Sequence, residues 1–159
     1  MRTLFIITCL ANIAFAFGTL PWMPDRVTYD FVANKSVSPI IYAVFASTLI
    51  GVLGTVFFGL SLIPFTPATS YGTPNRDYWL KEENRPKANQ HTRSYFESGG
   101  FGTMLLFLSW QWAIFQANQR VPAELNKIAL GLGAGIFVVF IIVILIRFCL
   151  AFRLPKGKE

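Results

Sequence analysis

Long apolar runs separated by short polar ones set the pattern of this chain. A helix that crosses about 30 Å of hydrocarbon needs roughly 20 mostly apolar residues, and four segments meet that length. The first runs from Thr3 to Leu20, with Asn12 as its main polar interruption, and stops at Pro21 and Trp22. The second runs from Pro39 to Phe65 and ends in a turn marked by Pro64 and Pro67. The third, Phe96 to Ala117, is the weakest, because Ser109 and Gln111 interrupt it and Glu97 stands at its start. The fourth, Ile128 to Phe152, contains an unbroken aliphatic and Phe run from Ile136 to Ile146. The pattern predicts an all-α integral membrane protein: a bundle of four transmembrane helices over 3–20, 39–65, 96–117 and 128–152. An outer loop (21–38) follows the first helix, and a cytoplasmic loop (66–95) joins helices 2 and 3.

Composition points the same way. With 53% hydrophobic and 14% charged residues in 159 positions, the chain carries more apolar surface than so small a domain encloses in water. The lipid bilayer is therefore its first expected partner. The net charge of +6 raises nucleic acid as a class of partner, but the Lys and Arg residues are spread between apolar runs rather than clustered, which argues against it. Cys9 and Cys149 each sit inside an apolar run and read as two buried thiols, not a disulfide.

Cytoplasmic flanks of membrane helices carry the excess of Lys and Arg. With both termini inside, that set is Arg2, then Arg76, Lys81, Arg85, Lys87 and Arg93, then Arg147, Arg153, Lys156 and Lys158. The outer set is only Arg26, Lys35, Arg120 and Lys127. The imbalance predicts cytoplasmic N- and C-termini. A rival reading is that Arg2, a short apolar stretch and Ala14-Phe15-Ala16 form a cleavable signal peptide; against it, the apolar run continues through Phe17 to Leu20.

Small residues at four-residue spacing mark faces on which membrane helices approach closely. Ser47, Gly51, Thr55 and Gly59 form one such face and Gly131 with Gly135 another; both are expected to pack inside the bundle, with a homo-oligomer contact as the alternative. Trp22, Trp110 and Trp112 fall near the outer ends of their segments as headgroup anchors, and Tyr71, Tyr78 and Trp79 form a candidate inner belt.

Candidate chemistry is sparse. Ionisable groups deep in a membrane mark ion paths and intramembrane catalysis, and none stands at mid-depth here. His91 stands without nearby Cys, and Asp77, Glu82, Glu83 and His91 follow no recognised ligand spacing, so neither a metal nor a cofactor is expected. No phosphate loop, nucleophile elbow or CxxC is present, and the chain reads as a non-enzyme. Gly99-Gly100 reads as a flexible entry to the third helix. In the inner loop, 78–93 has the makings of an interfacial helix that Pro86 is expected to break.

Two motifs carry a family resemblance. Met23-Pro24-Asp25-Arg26-Val27 follows the first segment, and Pro74-Asn75-Arg76-Asp77-Tyr78-Trp79-Leu80 lies in the inner loop, followed by Glu83 and Arg85. Together they resemble a bacterial family of small polytopic membrane proteins with a domain of unknown function, number 1648. The chain departs from that family's pattern after the outer motif. Asp30-Phe31 stands where a His-Phe pair is usual, a Gly- and Trp-containing turn is missing, and Val32 to Ser38 is short. The resemblance implies an immunity or signalling role like that of larger relatives sharing the outer motif. Its interaction residues would be Pro24, Asp25 and Arg26 outside and Asn75, Arg76, Tyr78, Trp79, Glu83 and Arg85 inside, the latter group facing a protein partner. The alternative from another class is a small transporter or channel subunit, with Asn12, Ser47 and Thr55 lining a path. A lipid-modifying enzyme ranks last, since no nucleophile and base are paired.

Overall fold

A computed structural model describes residues 1–30, 33, 35–120, 123 and 127–154, with only the backbone for 127–130. Phe31, Val32, Lys156 and Lys158, named above, lie outside the described residues. The chain is mostly helical, at 73%. In order it forms α1 (Arg2–Gly18), a 3-10 turn (Leu20–Trp22), β1 (Val27–Asp30), β2 (Lys35–Val37), α2 (Pro39–Leu62), α3 (Arg76–Leu80), α4 (Arg85–Asn118) and α5 (Lys127–Ala151). Among the described residues, three stretches are long and apolar enough to cross a membrane: Arg2–Trp22, Pro39–Leu62 and Gly131–Ala151.

The starts of α2 and α4 have a local cause. Ser38 caps α2 by accepting from the Ile41 amide at 3.4 Å, and Pro39 supplies the preset φ of a first helical position. Pro86 plays the same part in α4, where it stands in the first turn. This corrects the expectation that it breaks a helix: at the start of a helix the missing N–H has no partner to lose. The third helix consequently begins at Arg85 in the polar loop, ahead of the apolar stretch that starts at Phe96. Within the apolar helices, Thr8 and Thr19 turn their hydroxyls back onto the carbonyls of Leu4 and Phe15 at 2.9 and 2.8 Å, so these polar groups are satisfied locally.

The all-α expectation is corrected by one antiparallel hairpin, β1 with β2, paired Val27 to Val37 and Thr28 to Ser36. Its edge is covered by a side chain. Asn118 of α4 accepts from the Thr28 amide at 2.7 Å and donates to the Thr28 carbonyl at 2.9 Å, as a neighbouring strand would.

α4 is the axis of the molecule: it packs on α1, α2 and α5, while the packing of α5 is concentrated on α4. Three buried clusters stack along it. Val27, Tyr42 and Ile114 lie at the hairpin end, Phe5, Ile50 and Met104 in the middle, and Phe65, Trp79, Ala88 and Phe152 at the loop end.

The segment Gly99-Gly100-Phe101-Gly102 explains how α4 serves three neighbours at once. A Cβ on Gly100 would sit 2.8 Å from Phe5 of α1, one on Gly102 would overlap the Phe140 ring of α5, and one on Gly99 would touch Phe57 of α2 at 3.6 Å. These glycines are notches for aromatic rings inside a continuous helix, which corrects their reading as a flexible entry.

The small-residue faces are corrected as well. Gly51, Gly59, Gly131 and Gly135 have nothing within 4 Å of a Cβ position, and Thr55 is exposed. Close approach occurs instead at Gly54, 3.3 Å from Cys9 Sγ, and at Gly133, 3.7 Å from Ser109 Oγ. The helices touch through aromatic insertion at 99–102 and through these two small-residue contacts, which lie off the expected stripes.

Candidate functional site

The loop between α2 and α4 holds most of the residues singled out by motif. Its geometry begins at Asn75, whose backbone is left-handed (φ 53°), a conformation Asn tolerates better than most side chains. That turn starts α3 and aims two side chains at one atom. Asn75 Nδ2 and Trp79 Nε1 both donate to the Phe152 carbonyl, at 3.0 and 2.9 Å. This carbonyl lies just past the end of α5 on a fully buried residue, where the helix itself provides no partner. The clamp therefore fastens the loop to the end of α5.

Aromatic rings fill the space behind it. Trp79, 2% exposed, meets Phe152 edge-on at 5.4 Å and His91 at 5.8 Å. Phe65 stacks on Phe152 at 5.6 Å, and its amide donates to Asn89 Oδ1 at 2.6 Å. Burial among these rings, aided by Lys87 one turn away, pushes the His91 imidazole below its ordinary value.

The other motif residues hold the loop to itself. Arg76 donates to Ser70 Oγ at 3.0 Å and to the Pro67 carbonyl at 2.7 Å, with its guanidinium 5.7 Å from the Tyr71 ring centre. Arg85 donates to the Leu80 carbonyl at 3.1 Å, and Asn84 to the Tyr78 carbonyl at 3.0 Å. Tyr78 is half-buried against the loop-end cluster. Of the expected interaction residues in this loop, Trp79 is turned inward and corrects the reading of an inner-belt or partner-facing ring. Glu83 stays exposed, together with Asp77, Lys81 and Glu82. Lys81, Glu82 and Glu83 line a shallow open recess.

The outer motif lies at the other end of α4: Trp79 packs on Ala88 near its start and Thr28 bonds Asn118 at its end, about 45 Å apart by helix rise. Pro24 and Asp25 are exposed. Arg26 reaches across the hairpin to Ser36, Nε to the hydroxyl at 3.1 Å and Nη2 to the carbonyl at 3.3 Å. Gln119 Nε2 donates to the Trp22 carbonyl at 2.7 Å, tying the same segment to α4. The two motifs thus form separate surfaces.

Between them runs a buried amide pair that motif reasoning missed. Asn12 Nδ2 donates to the carbonyls of Thr8 and Met104 at 2.8 and 2.9 Å, and its Oδ1 accepts from Gln111 Nε2 at 2.9 Å. The available signal was that both amides interrupt apolar runs. Asn12 is thereby occupied, and Thr55 faces away from the core with its hydroxyl on the Gly51 carbonyl at 2.8 Å, so these two line no common path. Glu97 is buried against Arg93 at 2.9 Å, an i,i+4 pair on α4. Among the described residues, no three His, Cys, Asp or Glu side chains gather as a metal site.

No family model, no curated protein and no solved structure matches this chain.

Proposed function

We propose that this is a four-span bacterial inner-membrane protein with both termini in the cytoplasm, acting by holding a preformed cytoplasmic surface toward a protein partner rather than by catalysis. The single observation that carries it is the clamp. Asn75 and Trp79 close on the Phe152 carbonyl, Arg76 and Arg85 brace the same loop, and the charged positions Asp77, Lys81, Glu82 and Glu83 are left outward on a fixed frame. A loop that served only as a connector has no need of so many internal bonds, and preorganisation lowers the entropic cost of binding.

Four spans require α4 to cross alongside its three apolar neighbours. Its lower apolarity has a structural reason that supports this reading: Glu97 is spent on Arg93, Gln111 on Asn12 and Asn118 on Thr28. Leu105, Trp110 and Trp112 stand exposed on the same helix. The unequal distribution of Lys and Arg supports the orientation, and the motif resemblance supports an immunity or signalling role.

Photo-crosslinking groups placed singly at Asp77, Glu82 and Glu83 in living cells test the proposal. A discrete protein adduct that disappears in Trp79→Ala, while the variant still inserts, is the expected result. Absence of any adduct from all three positions, together with solute flux in proteoliposomes above that of empty vesicles, would replace this reading with the transporter subunit.

A further inference from the structure

The buried amide pair in the bundle is incomplete. Asn12 uses both of its Nδ2 hydrogens on the carbonyls of Thr8 and Met104, so its Oδ1 must face Gln111, and Gln111 must answer with its NH2. The orientation of both amides follows from this network and leaves Gln111 Oε1 as an acceptor without a partner, on a side chain only 4% exposed. A second buried polar atom without a partner is Ser47 Oγ on α2.

The packing register puts the two residues in one layer of the bundle. Ile50 of α2 shares the middle cluster with Met104, and Tyr42 shares the hairpin-end cluster with Ile114, so α2 and α4 run antiparallel in that register. Ser47 lies one turn toward the hairpin end from Ile50. Gln111 lies about two turns in that direction from Met104, but its side chain leans back toward the start of α4, down to Asn12. Its amide therefore comes to the level of Ser47. The next turns hold Ala16 and Ala43, both buried and both small.

We propose that this layer binds one small hydrogen-bond donor, a water molecule, which donates to Gln111 Oε1 and is held on its other side by Ser47 Oγ. The bound molecule would join α1, α2 and α4 through Asn12, Ser47 and Gln111, and so satisfy two groups that lipid cannot. The inference rests on the packing of the three helices and stands apart from the proposed partner surface.

Solid-state NMR of the intact, 15N-glutamine-labelled protein in lipid bilayers reads the site directly. A cross-peak from slowly exchanging water to the Gln111 carboxamide is expected, and it should weaken or vanish in Ser47→Ala. Absence of the cross-peak in the unaltered protein overturns the proposal, as does a cross-peak that Ser47→Ala leaves unchanged. Thermal unfolding gives an independent check. Ser47→Ala should lower the melting temperature by about 2–4 °C if a bound water is lost, whereas an unchanged or raised value overturns the proposal. Should Ser47→Ala fail to insert, the measurement on the unaltered protein still decides.

Discussion

The shared acceptor at Phe152 makes a quantitative prediction about two side chains that never bond each other. Trp79→Phe keeps the aromatic packing and removes only the indole N–H; Asn75→Ala removes the other donor. After either change alone, the buried carbonyl still accepts one hydrogen bond, so each should cost no more than an ordinary hydrogen bond, about 1 kcal/mol. Asn75→Ala adds a separate cost of about 1 kcal/mol for placing Ala in left-handed backbone, which cancels in the cycle. Together they leave the Phe152 carbonyl buried and without a partner, a penalty of roughly 1–3 kcal/mol. The double variant should therefore exceed the sum of the singles by about 1 kcal/mol or more, as coupled sites do. Thermal or denaturant unfolding in lipid nanodiscs measures the cycle, and proteolysis after Arg153 reports fraying of the α5 end. Additive costs would refute the argument, because they would mean that the two donors do not serve one acceptor.

Three further outcomes follow from the packing. Gly102→Ala should destabilise by about 1–3 kcal/mol through overpacking against Phe140, while Gly131→Ala, with open space around it, should be neutral or slightly stabilising; equal effects in unfolding experiments would contradict the notch geometry. Asn118→Ala removes both bonds to Thr28 and should cost about 2 kcal/mol, with faster hydrogen exchange at the Thr28 amide as the local readout; unchanged exchange would show that the hairpin does not depend on it. The His91 pKa lies below its ordinary 6.5 in the folded protein, so the unfolded chain takes up the proton first. Stability should be full above that pH and fall as the pH drops through 6.5 toward the folded value. Melting curves at pH 7.5 and 5.5 should differ by less in His91→Gln; an equal difference would assign the effect to other groups.

Much of the architecture was legible because apolar length is a property of the chain alone. Hydrocarbon length and hydropathy mark three of the four segments wherever they pack, and Pro21, Pro39 and Pro64 punctuate them through restrictions on their own backbone. Proline position is the exception: Pro86 breaks or begins a helix depending on whether an N–H partner exists before it, and that depends on the loop. The motif Asn75 to Trp79 was found by its residues but misread in purpose, since its acceptor, the Phe152 carbonyl, lies 73 residues beyond Trp79. Nothing local to the motif reveals such a partner.

Residue order alone is enough to specify a basic, strongly apolar chain with helical segments of membrane-spanning length and one long polar loop. Burial of apolar area and backbone restrictions are summed residue by residue and need no knowledge of neighbours. Which faces meet is settled by packing between distant segments. The four-residue stripes of Gly51 and Gly131 are open, while Gly99, Gly100 and Gly102 receive rings from three different helices. A glycine becomes a notch only when a ring from a distant segment arrives at its height, and an amide such as Gln111 or Asn118 becomes structural only when its partner does. Those pairings depend on register between helices, which the order of residues along one helix does not contain.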